Sequence, residues 1–161
     1  LERFVSLLLM GGKIRRQLKD DTARDDNPLG RVMKVKDQYP NVAYDTLELK
    51  LSEAILREMP KITRNLTLIK IISVVAPLLG LLGTVTGMIN TFQAITLFGT
   101  GDPKLMAGGI SQALVTTVLG LVVAIPTVFL YTLLNTRSKG LLLILQEQSA
   151  GIIAERSEKG A

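Results

Sequence analysis

From Ile71 to Gly101, and again from Leu105 to Thr136, the chain carries no Asp, Glu, Lys or Arg. A membrane-spanning helix needs about 20 mainly apolar residues to cross roughly 30 Å of hydrocarbon. Each stretch exceeds that length. The pattern predicts a long helical hairpin with spans at 67–98 and 105–136 and a polar turn at 99–104, where Asp102, Pro103 and Lys104 break the uncharged run. Core helices of soluble bundles can also be apolar all round. Two adjacent uncharged stretches of this length point to a bilayer instead. Gly99-Thr100-Gly101-Asp102-Pro103 has the chemistry of a turn.

The flanks carry amphipathic patterns. Leu1–Leu18 reads as a helix with a basic side of Lys13, Arg15, Arg16 and Lys19. That side suits either anionic headgroups or plain solvent. Asp20–Pro28 is a charged, breaker-rich loop, and Leu29–Tyr39 a short helix ending before Pro40. Asn41 or Asp45 is placed to cap the next helix. Leu47, Leu51, Ile55, Met59, Ile62, Leu66 and Ile69 recur at spacings of four and three, the signature of one apolar helical face. Pro60 is expected to kink this helix. The pattern continues unbroken, so the helix is expected to run straight into the first span. Leu141, Leu145, Gln148 and Ile152 repeat the spacing, so the second span is expected to continue as a helical tail over 137–161. The tail and the Leu47–Ile69 helix should pack together.

Charge orients this arrangement. Residues 1–70 hold 14 Lys/Arg against 10 Asp/Glu, the turn has one Lys, and the tail has four Lys/Arg. The positive-inside rule places 1–66 and 137–161 in the cytoplasm and the turn outside. The net charge of +5 comes from basic residues interleaved with acids and few aromatics, which argues against nucleic-acid binding. Cys and His are absent, which removes thiolate chemistry, Cys/His zinc sites and His acid–base catalysis. No cofactor or metal is expected, and the chain does not read as an enzyme.

Small residues mark the faces that meet. Gly80, Thr84, Gly87 and Thr91 form one stripe of small, weakly polar residues. Ala113, Thr117, Gly120 and Ala124 form another at the same spacing, and Gly83 lies beside the first. Such stripes allow close helix approach in lipid, where apolar burial gives no preference for protein over acyl chain. At about 1.5 Å per residue, Thr84 and Thr117 fall at one depth, roughly 25 Å from the turn. Asn90 and Gln112 share a second depth nearer the turn and should lie near each other, within one chain or between neighbours. Pro77 and Pro126 lie on the far side of the threonine level, where each leaves a backbone carbonyl in need of a partner. Tight packing and a polar pathway both fit these stripes. GLLGTVTG (Gly80–Gly87) lacks the Gly-Lys-Ser/Thr ending of a phosphate loop.

APLLGLLGTVTGMI (Ala76–Ile89) and AGGISQALVTTVLGLVVAIP (Ala107–Pro126) resemble the ExbB/TolQ/MotA proton-channel family, most closely its ExbB branch. The resemblance covers the hairpin strongly and the Leu47–Lys70 helix and tail more loosely. It implies an all-α inner-membrane protein whose hairpin supplies the second and third spans of a three-span fold. Leu1-Glu2-Arg3-Phe4 would then stand just after a first span. It further implies a homo-oligomer, typically a pentamer, enclosing single-span helices of an ExbD-like partner that carries a membrane Asp. Proton flow would energise a TonB-like protein. The alternatives are a TolQ-like subunit acting with TolR and TolA, or a passive membrane scaffold. By resemblance Thr84 and Thr117 stand at the family's pore-facing threonines. Gln112 stands where ExbB and TolQ commonly have glutamate, so one titratable group is missing. The uncharged stretches carry no carboxylate, so a proton carrier must come from the partner. Whether the ion is a proton or sodium stays open.

Overall fold

The computed structural model describes residues 1–99 and 101–160; Thr100 of the expected turn and Ala161 at the end of the expected tail lie outside the described residues. The helices in order are α1 (Glu2–Gln17), α2 (Pro28–Gln38), α3 (Tyr44–Thr63), α4 (Leu66–Phe98) and α5 (Pro103–Lys159). They divide into two units. The first comprises Leu1–Asn65 with the chain from Leu133 onward; the second is Leu66–Thr132.

The core of the first unit is assembled from one face of each of its helices. Leu7 and Ile14 of α1, Leu29 and Val32 of α2, and Leu47, Leu51, Ile55 and Ile62 of α3 are buried. Leu134, Leu141 and Leu145 of α5 join them. Each such side chain contributes about 1.5–3 kcal/mol on burial. The loop from α1 to α2 is tied by Gln17, whose amide donates to Asp20 O and Thr22 O at 3.0 and 2.8 Å and whose Oε1 accepts from the Arg24 N–H at 3.0 Å. Asn27 caps α2 by accepting from the Gly30 N–H at 2.7 Å, with Pro28 at the first helical position. A Cβ at Gly30 would lie 1.9 Å from Arg24 O, so only glycine fits there.

Two expectations about α3 are corrected. Neither Asn41 nor Asp45 caps it; Ala43 holds the N-cap position and makes no side-chain cap bond. Nor does α3 run into the next helix. It passes Pro60, ends at Thr63, and is followed by Arg64 in an extended conformation and Asn65 at φ 61°. Asn is one of the few residues that enter the left-handed region at modest cost. Pro60 lacks the N–H needed to continue the ladder, so the last turn is already weakened. The exposed helix end is satisfied from elsewhere: Arg3 Nη2 donates to Ile62 O at 2.7 Å and Lys61 O at 3.3 Å, and Ser138 Oγ donates to Ile62 O at 3.3 Å. These bonds bring the end of α3 against α1 and α5.

Among the described residues, one ion-paired carboxylate of this unit, that of Glu58, is buried. Glu58 is 5% exposed and receives Arg31 through two bonds, at 2.9 and 2.6 Å, with Lys61 Nζ at 3.0 Å. Burial pushes the Glu58 pKa up, but the bonds from Arg31 and Lys61 outweigh it and hold the carboxyl below its ordinary value. A carboxyl depressed on folding contributes stability above its unfolded pKa and loses it as pH falls through the folded one. Stability of the first unit should therefore decline on acidification below the ordinary glutamate range, and Glu58→Gln should flatten that decline. Arg31→Met leaves a buried carboxylate with Lys61 alone and is expected to destabilise the unit by about 2 kcal/mol. Denaturant titrations across pH measure both effects.

The end of α5 is clamped in the same unit. Arg156 Nη1 donates to Tyr39 O and Val42 O, each at 3.0 Å. Glu155 accepts from Lys159 and Lys36, and these bonds hold its pKa at about 2.

In the second unit α4 and the start of α5 pack antiparallel. Gly80 faces Thr116–Gly120, Gly87 faces Ala113 and Thr91 faces Gly109. Partner numbers fall on α5 as they rise on α4, the register of a hairpin. Away from this seam, Leu78, Leu82, Phe92, Val118, Val122 and Phe129 are exposed. Both helices are long and apolar enough to cross a membrane, and only 17% and 11% of their most apolar windows is buried. A core helix of a soluble domain would be mostly covered.

Candidate functional site

The site is the crossing of α4 and α5 within the second unit. Ala113 and Ala124 are buried in it, at 2% and 3% exposure, and Gly80 with them. A Cβ on Gly80 would stand 3.0 Å from Thr116 O; one on Gly83 would stand 2.6 Å from Thr116 Oγ1, and one on Gly87 2.7 Å from the Ala113 Cβ. Glycine is needed at this crossing because the two backbones touch, not because of any turn.

That close approach brings three hydroxyls together. The Thr84 and Thr117 hydroxyls are hydrogen-bonded to each other across the seam. Thr84 Oγ1 also reaches Gly80 O and Ala113 O, both at 3.2 Å. Thr117 Oγ1 lies 3.4 Å from Gly80 O. Thr116 donates to Ala113 O at 2.6 Å and lies 3.3 Å from Gly80 O. Thr116 escaped the sequence reading; its signal was the adjacent pair Thr116-Thr117, which presents hydroxyls on two neighbouring lines of one helix. Elsewhere on these helices Thr96, Thr127 and Thr132 simply bond the carbonyl four residues back in their own helix. The crossing threonines differ because their hydroxyls engage the opposite helix.

A hydroxyl has one proton to donate and two lone pairs to accept with. Thr84 and Thr117 are half-buried, with more acceptors in reach than protons to give. Their bonds can therefore be re-aimed at a third group without leaving a buried donor empty.

Toward the loop, residues of both helices line a cleft of about 680 Å³. Asn90 and Gln112 both line it, with Thr86, Thr91 and Asp102. Among the described residues neither amide has a side-chain hydrogen bond, and both are exposed. Asp102 accepts from the Lys104 N–H at 2.9 Å and so caps the start of α5. On the other side of the crossing an apolar groove of about 480 Å³ runs along Ile72, Leu79, Leu119 and Val123. Pro77 and Pro126 lie inside their helices, which continue through them. No group of three or more Asp or Glu side chains is placed to hold a metal ion among the described residues.

Known proteins match this chain in sequence. Residues 24–147 match the model of the MotA/TolQ/ExbB proton channel family. The chain is 40% identical over 106 residues to an ExbB-like biopolymer transport protein of Synechocystis sp., covering 65% of this chain and 50% of that one. It is 39% identical over 97 residues to the biopolymer transport protein ExbB of Helicobacter pylori, covering 60% of this chain and 67% of the other. It is 31% identical over 103 residues to the Tol-Pal system protein TolQ of Pseudomonas aeruginosa, covering 64% and 45%. The chain spans about half the length of the curated relatives it matches. The family match takes in α2, α3, α4 and most of α5, including the crossing and both clefts, and by that match the chain belongs to the MotA/TolQ/ExbB proton channel family.

Proposed function

We propose that this chain is a proton-channel subunit of an inner-membrane energy-transducing complex of the ExbB–ExbD–TonB type. The observation that carries the reading is the pair of facing hydroxyls, Thr84 and Thr117, in a hairpin whose spans contain no carboxylate. Moving protons requires a group that titrates, and intramembrane ionisable groups are functional as a rule. Here that group belongs to a partner: a single-span, ExbD-like helix with a membrane Asp. The threonines offer it hydrogen bonds and hold its orientation. Copies of the chain, five by family analogy, surround the partner helices. The first unit lies in the cytoplasm and the loop beyond Phe98 on the opposite side. Proton passage then drives a TonB-like protein that energises outer-membrane transport.

A TolQ-like role with TolR and TolA uses the same hairpin chemistry, and the 31% identity to TolQ supports keeping it as the second reading. Vesicles holding this chain alone are expected to stay proton-tight. Adding the single-span partner should open them to protons, and changing the partner's Asp to Asn should close them again. An assembled complex that conducts under none of these conditions would leave the passive scaffold. Gln112→Glu places a carboxyl in the open cleft, where the family tolerates one. It should leave the oligomer intact by light scattering, and a collapse of the assembly would count against the alignment of Gln112 with the family glutamate.

A further inference from the structure

We infer that the cleft at the loop end of the hairpin is a water-filled vestibule, one within each hairpin, that brings hydrated monovalent cations from the loop side as far as Thr116 and no further. The inference rests on the reading that the hairpin spans a bilayer, and it deepens the proposed function by giving the ion one-sided access to the threonine crossing. The lining runs from Asp102, beside the first residue of α5, through Thr91, Asn90 and Gln112 to Thr86, and ends at Thr116 on the crossing. All of it belongs to the second unit. At about 1.5 Å per residue, Thr116 lies roughly 20 Å along α5 from Pro103.

Polar groups without protein partners hold water, whereas an apolar cavity stays dry. The Asn90 and Gln112 side chains make no hydrogen bond among the described residues, and both line the cleft. An amide left without a partner in hydrocarbon is strongly disfavoured, and water in the cleft supplies the partner. Thr86 and Thr91 donate to Leu82 O and Gly87 O of their own helix, each at 2.9 Å, which leaves their lone pairs to accept from that water. At the mouth Asp102 uses one carboxylate oxygen on the Lys104 N–H, and its other oxygen has no partner among the described residues. A carboxylate at the rim of a confined cleft raises the local concentration of cations over anions.

The other side of the crossing has the opposite character. Thr116 lines both the cleft and the apolar groove, and among the described residues it is the only polar side chain in the groove. Its hydroxyl proton is spent on Ala113 O at 2.6 Å. Between the two spaces the backbones meet, since a Cβ on Gly80 would stand 3.0 Å from Thr116 O and 3.2 Å from the Gly120 Cα. Water that fills the cleft therefore finds no polar group to follow past Thr116. A charge delivered to this level goes further only on a group that itself moves, which is the task left to a carboxylate on the proposed partner helix.

The chain has no cysteine, so single-cysteine variants of the full chain in lipid vesicles report one position each. The probe is a membrane-impermeant quaternary-ammonium methanethiosulfonate, which reacts with the thiolate and so only where water reaches. Thr86→Cys, Asn90→Cys and Gln112→Cys should label from the side at which Asp102→Cys reacts, and not from the other. Phe92→Cys and Leu114→Cys lie at matching depths outside the cleft, and Leu79→Cys and Val123→Cys lie in the apolar groove; all four should label at least about tenfold more slowly, for want of thiolate. The anionic sulfonate reagent should react more slowly than the cationic one at Thr86→Cys, and adding Asp102→Asn should narrow the gap. Slow labelling at all three cleft positions would mean that a neighbouring copy or acyl chains fill the cleft, and would overturn the inference. Equal rates for the two reagents, or fast labelling at Leu79→Cys and Val123→Cys, would overturn it as well, the first by removing the preference for cations and the second by removing the dry barrier. Carbonate extraction separates the levels of failure: a chain that washes off the vesicles overturns the spanning reading and this inference with it. Labelling reads water and not proton transfer, so a wet, one-sided cleft in a complex that conducts nothing supports the inference and removes only the proposed function.

Discussion

Gly120→Leu is expected to abolish the folded hairpin. Even a single methyl there would lie 2.7 Å from Ala76 O and 2.9 Å from the Gly80 Cα, both backbone atoms that no rotamer change can move. Relief requires the helices to separate along the seam. That separation would pull Thr84 away from Thr117 and Thr116 away from Gly80 O, and would loosen the buried Ala113 and Ala124. Helix association in lipid rests largely on such van der Waals contact, so little remains to hold the pair once it opens. Gly120→Ala should already cost about 1–3 kcal/mol, the usual range for overpacking, and Gly120→Leu should leave no detectable cooperative transition in detergent. Gly108, Gly140 and Gly151 provide the contrast, since a Cβ at each meets nothing within 4 Å. Alanine there removes the entropic cost of a helical glycine and should stabilise by about 0.5–1 kcal/mol. Thermal unfolding of the purified variants decides the matter. Equal midpoints for Gly120→Ala and Gly140→Ala would mean that the crossing is not where these contacts put it.

Much of this was legible in the sequence, and the reasons differ from residue to residue. The two apolar helices could be read because an uncharged stretch longer than 20 residues has few other uses. The matched depth of Thr84 and Thr117 followed from counting outward from the turn, and in the structure the two hydroxyls meet. The break after Thr63 was hidden because Ile62, Leu66 and Ile69 keep spacings of four and three across it. The left-handed Asn65 interrupts the backbone but not the apolar face, and periodicity reports only the face. The missing cap on α3 has a similar cause. Asn41 and Asp45 are both good capping residues, yet Ala43 occupies the capping position and offers no oxygen. Thr116 was passed over because a stripe drawn along one line of a helix ignores its neighbour. The Gln17–Asn27 network depends on a loop doubling back, which no local pattern records.

Thr84→Val and Thr117→Val are expected to stop proton-dependent work while leaving the protein assembled. Valine matches threonine in volume and shape but has no hydroxyl. Removing the Thr84 hydroxyl leaves Thr117 Oγ1 with Gly80 O as an acceptor at 3.4 Å, so no buried donor is stranded. Interhelical hydrogen bonds in membranes average about 0.6 kcal/mol, and the thermal midpoint should shift correspondingly little. On the proposed function the loss should be large, because a carboxylate on the proposed partner helix would find few other donors at this level: the hairpin offers hydroxyls and amides, and no charged group between Leu105 and Thr136. Thr127→Val and Thr132→Val remove hydroxyls that bond only their own helix and should be silent. If the crossing serves packing alone, the pattern inverts: both valine variants keep full activity while Gly80→Leu and Gly120→Leu lose it together with assembly. The measurement is proton flux through the complex with its single-span partner, compared at equal complex levels. Undiminished flux from both Thr84→Val and Thr117→Val would remove the threonines from the proton path, and the hairpin would then have to be understood as a scaffold.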